Sequence, residues 1–179
     1  MLFPTLELGL LKTGLRAFQL LLCVILTALI GNVIALTNTA SSSATAAVNF
    51  SMFVVVASWL ASLYGLFARL FPSIENVKVQ LPSDAAGVLF NFIGAVVLSA
   101  KLGVVDCGDV EGKKEDKSGS WIVWGSGDDE KRCREVQAGA VFMWFLFACF
   151  IATTFFTWRD SRRGFSIPSS RPSMTQIGV

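Results

Sequence analysis

An all-α fold, four transmembrane helices packed as an antiparallel bundle, is what the sequence predicts, and three observations carry that prediction. Of 179 residues, 53% are hydrophobic and only 16% charged, and the mean hydropathy is +0.60. Soluble domains average about 25% charged residues, so this chain lacks the side chains that would cover a water-facing surface. Four long apolar runs are separated by polar segments. There is no histidine, hence no imidazole ligand, no Ser-His or Cys-His pair and no neutral-pH imidazole base. The length suits one domain. These features argue against a soluble α/β enzyme, a disordered tail and a disulfide-dense secreted mini-protein. The net charge of +2 is too small to point to nucleic acid.

Each span follows from bilayer thickness, which takes about 20 predominantly apolar residues per helix. Ala17 to Leu36 is a run of 20 residues without a charge. The second span, Phe50 to Phe71, carries its one charge at Arg69, near its end. A third runs from about Ala85 to Val105, preceded by Asp84 and with Lys101 near its far end. The fourth, Val136 to Trp158, is 23 uncharged residues. Lipid offers no partner to an unpaired backbone amide, so such runs close their hydrogen bonds internally as helices. The chain thus divides into a segment 1–16, a membrane domain 17–158 and a basic Ser/Pro-rich tail 159–179. A signal peptide is the alternative for the first span, because Lys12 and Arg16 precede it and small residues follow it. The run exceeds the about 7–15 residues of a signal-peptide core, and the expectation is a retained helix.

Orientation is read from basic residues in the flanks. The side holding both termini carries Lys12, Arg16, Arg69, Lys78, Arg159, Arg162, Arg163 and Arg171, against Glu7, Glu75, Asp84 and Asp160. The opposite side has an uncharged first loop, Thr37 to Asn49, and a second loop, Asp106 to Glu135, with six bases and nine acids. Both termini are therefore expected in the cytoplasm. Cys107 and Cys133 lie in that second loop, near the ends of two neighbouring spans. An oxidising exterior would join them, closing a ring worth about 3 kcal/mol on chain-entropy grounds. Two unpaired surface thiols are the alternative. Cys23 and Cys149 sit within spans and read as apolar fillers.

Helices in lipid associate through close backbone approach at small residues. The candidate seams are Gly31 in the first span, Ala57, Ala61 and Gly65 in the second, and Gly87, Asn91, Ala95 and Ser99 in the third. They serve packing within the chain or contact with another subunit. Asn91 is expected to hydrogen-bond across the bundle, while Asn32 and Gln19, near span ends, reach the interface. Asp84, following Pro82 and Ser83, reads as a helix N-terminal cap. Lys101 snorkels. No acidic pair occupies the midplane, which weighs against a proton or ion path.

In the second loop, Trp121, Ile122, Val123 and Trp124 form an apolar knot that rests on outer headgroups, packs on the bundle's mouth or binds a partner. Asn49-Phe50-Ser51 matches the glycosylation pattern, but it abuts a span and no glycan is expected. Beyond Trp158, Arg159, Arg162 and Arg163 are candidate contacts for anionic lipid, at about 1 kcal/mol per residue, or simply a positive flank. Ser166, at a spacing basophilic kinases accept, is a candidate phosphosite that would oppose this attraction. An unchanged membrane distribution for Ser166→Asp would count against that role.

Taken together, Ser62-Leu63-Tyr64-Gly65-Leu66-Phe67-Ala68, Asp84 ahead of Phe90, Phe92 and Val97-Leu98, Cys107, Gly125-Ser126-Gly127, Arg132-Cys133-Arg134, Gln137-Ala138 and the tail Thr175-Gln176-Ile177-Gly178-Val179 resemble the fungal non-classical export protein family. These are small four-helix MARVEL-domain proteins. The Ser-Leu-Tyr-Gly and Arg-Cys-Arg segments are the most specific parts. The resemblance implies a MARVEL-like bundle with cytoplasmic termini and one disulfide-closed extracellular loop, pairing Cys107 with Cys133. It also implies residence in the plasma-membrane domains called eisosomes, with roles in domain organisation, sphingolipid sensing and unconventional secretion. The sequence departs from the family in the longer, more charged stretch 109–117 and the Trp121/Trp124 knot.

The function expected is that of a non-enzymatic membrane organiser with no cofactor. Its partners would be membrane lipids (anionic lipids, sphingolipids, sterols) and further copies in a homo-oligomer. The competing reading is an accessory subunit of a larger membrane enzyme or transporter, with the Gly87/Asn91/Ala95/Ser99 seam against a foreign helix. Lipid binding or export through the bundle would need a cavity. An enzyme is least favoured, since acids and bases cluster in loops without nucleophile-base spacing.

Overall fold

A computed structural model of the chain describes residues 3–38, 40–71, 76–108, 110 and 121–165, with side chains from 9 to 162 within those ranges. Its order is α1 (Phe3–Ala35), α2 (Ser42–Leu70), α3 (Val77–Leu102) and α4 (Asp129–Phe165). All four are long and apolar enough to cross a membrane. The shortest, α3, has 26 residues, about 39 Å at 1.5 Å per residue, against a hydrocarbon core of about 30 Å. Every helix is therefore longer than the apolar span that predicted it, starting earlier in each case, although α1, α2 and α3 stop one to three residues before the predicted end.

Local chemistry fixes the helix starts. Ser41 caps α2, its hydroxyl accepting from the Ala44 amide at 3.3 Å. Asn76 caps α3, its side chain accepting from the Lys78 amide at 3.0 Å. The carboxylate of Asp128 accepts from the Lys131 amide at 2.9 Å in the first turn of α4. Asp84 is not a cap. The helix begins seven residues earlier at Val77, behind the Asn76 cap, Pro82 sits inside it, and Asp84 is 1% exposed. Proline lacks the amide for the i−4 bond but is tolerated in membrane helices where neighbours satisfy the freed groups.

Each helix packs on two others, α1 on α2 and α4, and α3 on α2 and α4. The order around the bundle is thus α1, α2, α3, α4, and α1 faces α3 across the interior. The interior is filled by Leu22, Leu26, Ile30, Val54, Val55, Leu98, Met143, Leu146 and Phe150. The outer faces carry large apolar side chains, among them Leu21, Phe53, Leu60, Leu89, Phe92, Phe145 and Phe155. A helix apolar on all sides is at home only with lipid on one side and neighbours on the other. The α1–α2 and α3–α4 connections share one end of the bundle, here the disulfide end, and the two chain termini share the other, here the terminal end.

At the disulfide end Cys107 and Cys133 are bonded, with their Cα atoms 5.6 Å apart. Residues 121–123 are buried over the bundle's mouth. The Trp121 indole donates to the Leu102 carbonyl at 2.9 Å, satisfying an acceptor left open by the end of α3, and its ring meets Trp124 edge-on at 6.3 Å. Gly125, at φ 101°, places its Cα against the Ala40 backbone and its carbonyl on the Asn38 amide at 2.8 Å. That conformation and that contact leave no room for a side chain. Fully buried Arg132 donates from Nε to the Ile122 carbonyl at 2.8 Å and from a terminal nitrogen to the Thr37 hydroxyl at 2.6 Å.

Candidate functional site

The largest departure from an apolar interior is a polar layer near the terminal end, to which all four helices contribute. Arg16 of α1, 2% exposed, reaches across the bundle to Asp84 of α3, with Nη2 to Oδ2 at 2.5 Å. The other guanidinium nitrogen donates to Gln19 Oε1 at 3.1 Å. Gln19 in turn donates to the Thr153 hydroxyl of α4 at 3.2 Å and accepts from the Ser62 hydroxyl of α2 at 3.5 Å. Thr157, four residues past Thr153, donates to Asp84 Oδ2 at 3.4 Å. Nearer the end, Lys12 pairs with Asp160, joining α1 to α4.

Gly65 of α2 is what admits the guanidinium. A Cβ there would lie 2.5 Å from both Cζ and Nε of Arg16. Taking an ion pair out of water costs several kcal/mol per ion, offset only where geometry and additional hydrogen bonds are good. This pair has neutral donors and acceptors from three helices around it. Within this layer, among the described residues, Asp84 Oδ1 is buried without a hydrogen-bond partner. On the Lys12 side of Arg16 lies a void of about 10 Å³, lined by Lys12, Arg16, Arg69, Gln80, Thr153, Phe156 and Thr157. That is about the volume one water centre needs.

Deeper in the bundle, Asn91 donates to the Ser58 hydroxyl at 2.8 Å and to the Gly87 carbonyl at 2.8 Å. Gly87 accepts the Phe150 ring, which would overlap any Cβ there. Gly65, Gly87, Ala61, Asn91 and Ala95 are buried within the chain's own bundle. Ala57 is half-buried, and Gly31 packs on nothing within 4 Å of where its Cβ would be. Ser99 is exposed and accepts from the Trp144 indole at 3.3 Å. Gly94, which the seam patterns missed, is buried, and a Cβ there would lie 3.6 Å from Val54 and Met143.

Gln19 does not reach the interface; it is fully buried, held by Arg16 and Thr153. Asn32 donates to Glu135 Oε1 at 2.5 Å, and Lys101 to the Ser43 hydroxyl at 2.6 Å. The sequence reading missed Arg16, Gln19 and Asp84 as one unit. The available signal was depth, since Arg16 and Asp84 each stand one residue before an apolar span that starts at the same end.

On the outer surface of the terminal half, α3 and α4 enclose a groove of about 370 Å³, lined by Leu81, Val88, Ile151, Thr154, Phe155 and Trp158. At its mouth the Arg162 guanidinium carbon lies 4.1 Å from the Trp158 ring centroid. Arg159 and Arg162 are exposed; the side chain of Arg163 and all of Ser166 lie outside the described residues. Among the described residues no three His, Cys, Asp or Glu side chains converge as a metal-ligand set.

The membrane-associating domain family MARVEL matches residues 8–156, which takes in the whole polar layer except Thr157 and Asp160. The chain is 31% identical over 108 residues to non-classical export protein 2 of Saccharomyces cerevisiae. That match covers 60% of this chain and 58% of the relative, so it spans less than two thirds of that protein. No solved structure gives a significant match. With four apolar helices, a bonded loop and a family match over most of its length, this chain belongs to the MARVEL family of membrane-associating domains.

Proposed function

We propose that the protein is a non-enzymatic organiser of the plasma membrane, with both termini in the cytoplasm. It associates laterally with lipids and with further copies to form or maintain eisosome-type microdomains, linked to sphingolipid sensing or to the unconventional export named in its yeast relative. The observation that carries this reading is where the polar chemistry lies. Within the bundle the polar side chains turn inward and engage one another, while the surface offered to the bilayer is large apolar and aromatic side chains. A protein so built acts through what its outer face lies beside.

The accessory-subunit reading loses support, because Gly87, Asn91 and Ala95 of its proposed seam are already covered by Phe150, Ser58 and the core. The basic residues flanking the terminal end support the cytoplasmic placement. The test is a fluorescent fusion of the full chain in fungal cells, with subunits counted after gentle-detergent extraction. Patchy plasma-membrane fluorescence and homo-oligomers are expected. Uniform fluorescence, or stable capture inside a larger enzyme or transporter, would overturn the proposal.

A further inference from the structure

We propose that the groove between α3 and α4 is a binding site for one anionic phospholipid, an acyl chain lying in the groove and the headgroup phosphate held by Arg162 and Arg159. Ile151, Phe155, Trp158 and Arg162 follow one face of α4 at helical spacing, so the apolar lining leads directly to a guanidinium. Arg159 lies four residues past Phe155 and flanks the same mouth. From Ile151 to Arg162 is about 17 Å along the axis, close to half of a hydrocarbon core of about 30 Å. A chain seated at Ile151 and Val88 thus brings its phosphate to the arginines.

The lining leaves no polar group for a ligand to meet at depth. The hydroxyl of Thr154 is turned back onto the Phe150 carbonyl at 2.7 Å. Recognition therefore rests on hydrocarbon below and positive charge above, the chemistry of an acidic glycerophospholipid. The nearby acid, Asp160, is engaged by Lys12. This inference deepens the organiser reading and rests on its lipid-facing surface, but not on orientation or clustering.

The experiment uses the full chain in symmetric phosphatidylcholine vesicles containing an equal mole fraction of chain-brominated phosphatidylserine or chain-brominated phosphatidylcholine. Trp158 is 42% exposed and within reach of a quenching chain. Quenching is expected to be stronger with brominated phosphatidylserine, and Trp158→Phe should abolish the difference. An arginine near the surface is worth about fivefold in local preference, so Arg159→Gln with Arg162→Gln should cut it by roughly thirtyfold. Val88→Phe, which fills the groove, should remove it while retention of the Cys107–Cys133 bond on a non-reducing gel reports intact folding.

Equal quenching by the two lipids in the native protein would overturn the proposal. So would a preference that survives either the arginine or the Val88→Phe change. A sterol that protects Trp158 as well as unbrominated phosphatidylserine does would assign the groove to sterol instead. Because the vesicles are symmetric and no clustering is measured, failure here leaves the organiser proposal to its own test.

Discussion

Both ends of the bundle bury an arginine, and they hold it by different means. At the terminal end Arg16 faces a carboxylate across the interior, with hydroxyls and an amide filling out the shell. At the disulfide end Arg132 is equally enclosed; it donates to a carbonyl and a hydroxyl, the Asp129 carboxylate acts on its charge from the preceding turn of α4, and one guanidinium nitrogen has no hydrogen-bond partner. There a covalent bond between Cys107 and Cys133 carries the constraint that charge carries at the other end. The difference teaches that closing a helical bundle in lipid requires a specific tie at each mouth, because lipid-facing apolar surface supplies no force between helices.

Breaking the charge tie has the largest expected effect. Asp84→Ala leaves Arg16 buried without its counter-charge, and removing one member of such a pair costs about 3–5 kcal/mol. The double change Arg16→Met with Asp84→Leu should recover most of that loss, since well-packed apolar substitutes for a buried pair are often neutral. Denaturant unfolding in detergent, followed by tryptophan emission, measures both. A double variant no more stable than Asp84→Ala would show that the pair does more than satisfy itself.

The covalent tie comes next. Cys107→Ser with Cys133→Ser should cost about 3 kcal/mol from loop entropy, read by the same unfolding assay. Combining it with Asp84→Ala sharpens the comparison. Sites that share no partners usually add to within about 0.5 kcal/mol, so additivity is expected if the two ties act independently. A shortfall would mean that the ends communicate through the helices.

The spans and the cysteine pairing were legible in the sequence because lipid imposes composition over 20 residues at a time, and because Cys107 and Cys133 flank neighbouring spans. Asn91 was legible for a similar reason, as an isolated amide in hydrocarbon must find a partner. Asp84 was misread because Ser83 and Pro82 imitate a helix start, whereas α3 runs through the proline from Val77. Nothing local distinguishes Gly31, where a Cβ would meet nothing within 4 Å, from Gly65, which admits Arg16. Both stand in small-residue spacings, and only the arrangement of four helices decides which faces inward. Trp121 and Trp124 posed the same problem, since a loop's side chains follow from where its two ends are pinned.

The glycines offer a finer comparison of the same two ends. Gly65→Ala presses a methyl into the Arg16 guanidinium, and overpacking of this kind costs about 1–3 kcal/mol. The obstruction is the end of a long side chain, so Arg16→Lys in the same chain should relieve part of the cost. Gly125→Ala meets the Ala40 backbone at a φ of 101°, and no single side-chain change should relieve it. Thermal midpoints of the single and paired variants test the distinction. Relief of Gly125→Ala by trimming a neighbour would contradict it.

The smallest effect belongs to a hydrogen bond that lies between the two ties. The Asn91 amide and the Ser58 hydroxyl join α3 to α2 at 2.8 Å, and each also bonds the turn of its own helix, at Gly87 and Val54. Those local partners remain when the cross-bundle bond is cut, so little is left unsatisfied. Interhelical hydrogen bonds in membranes average about 0.6 kcal/mol in double-mutant cycles. A cycle of Asn91→Ala and Ser58→Ala should give a coupling near that value, well below either end's tie. A coupling as large as that expected for Arg16 and Asp84 would move the main constraint to the middle of the bundle, and the two mouths would then follow the middle.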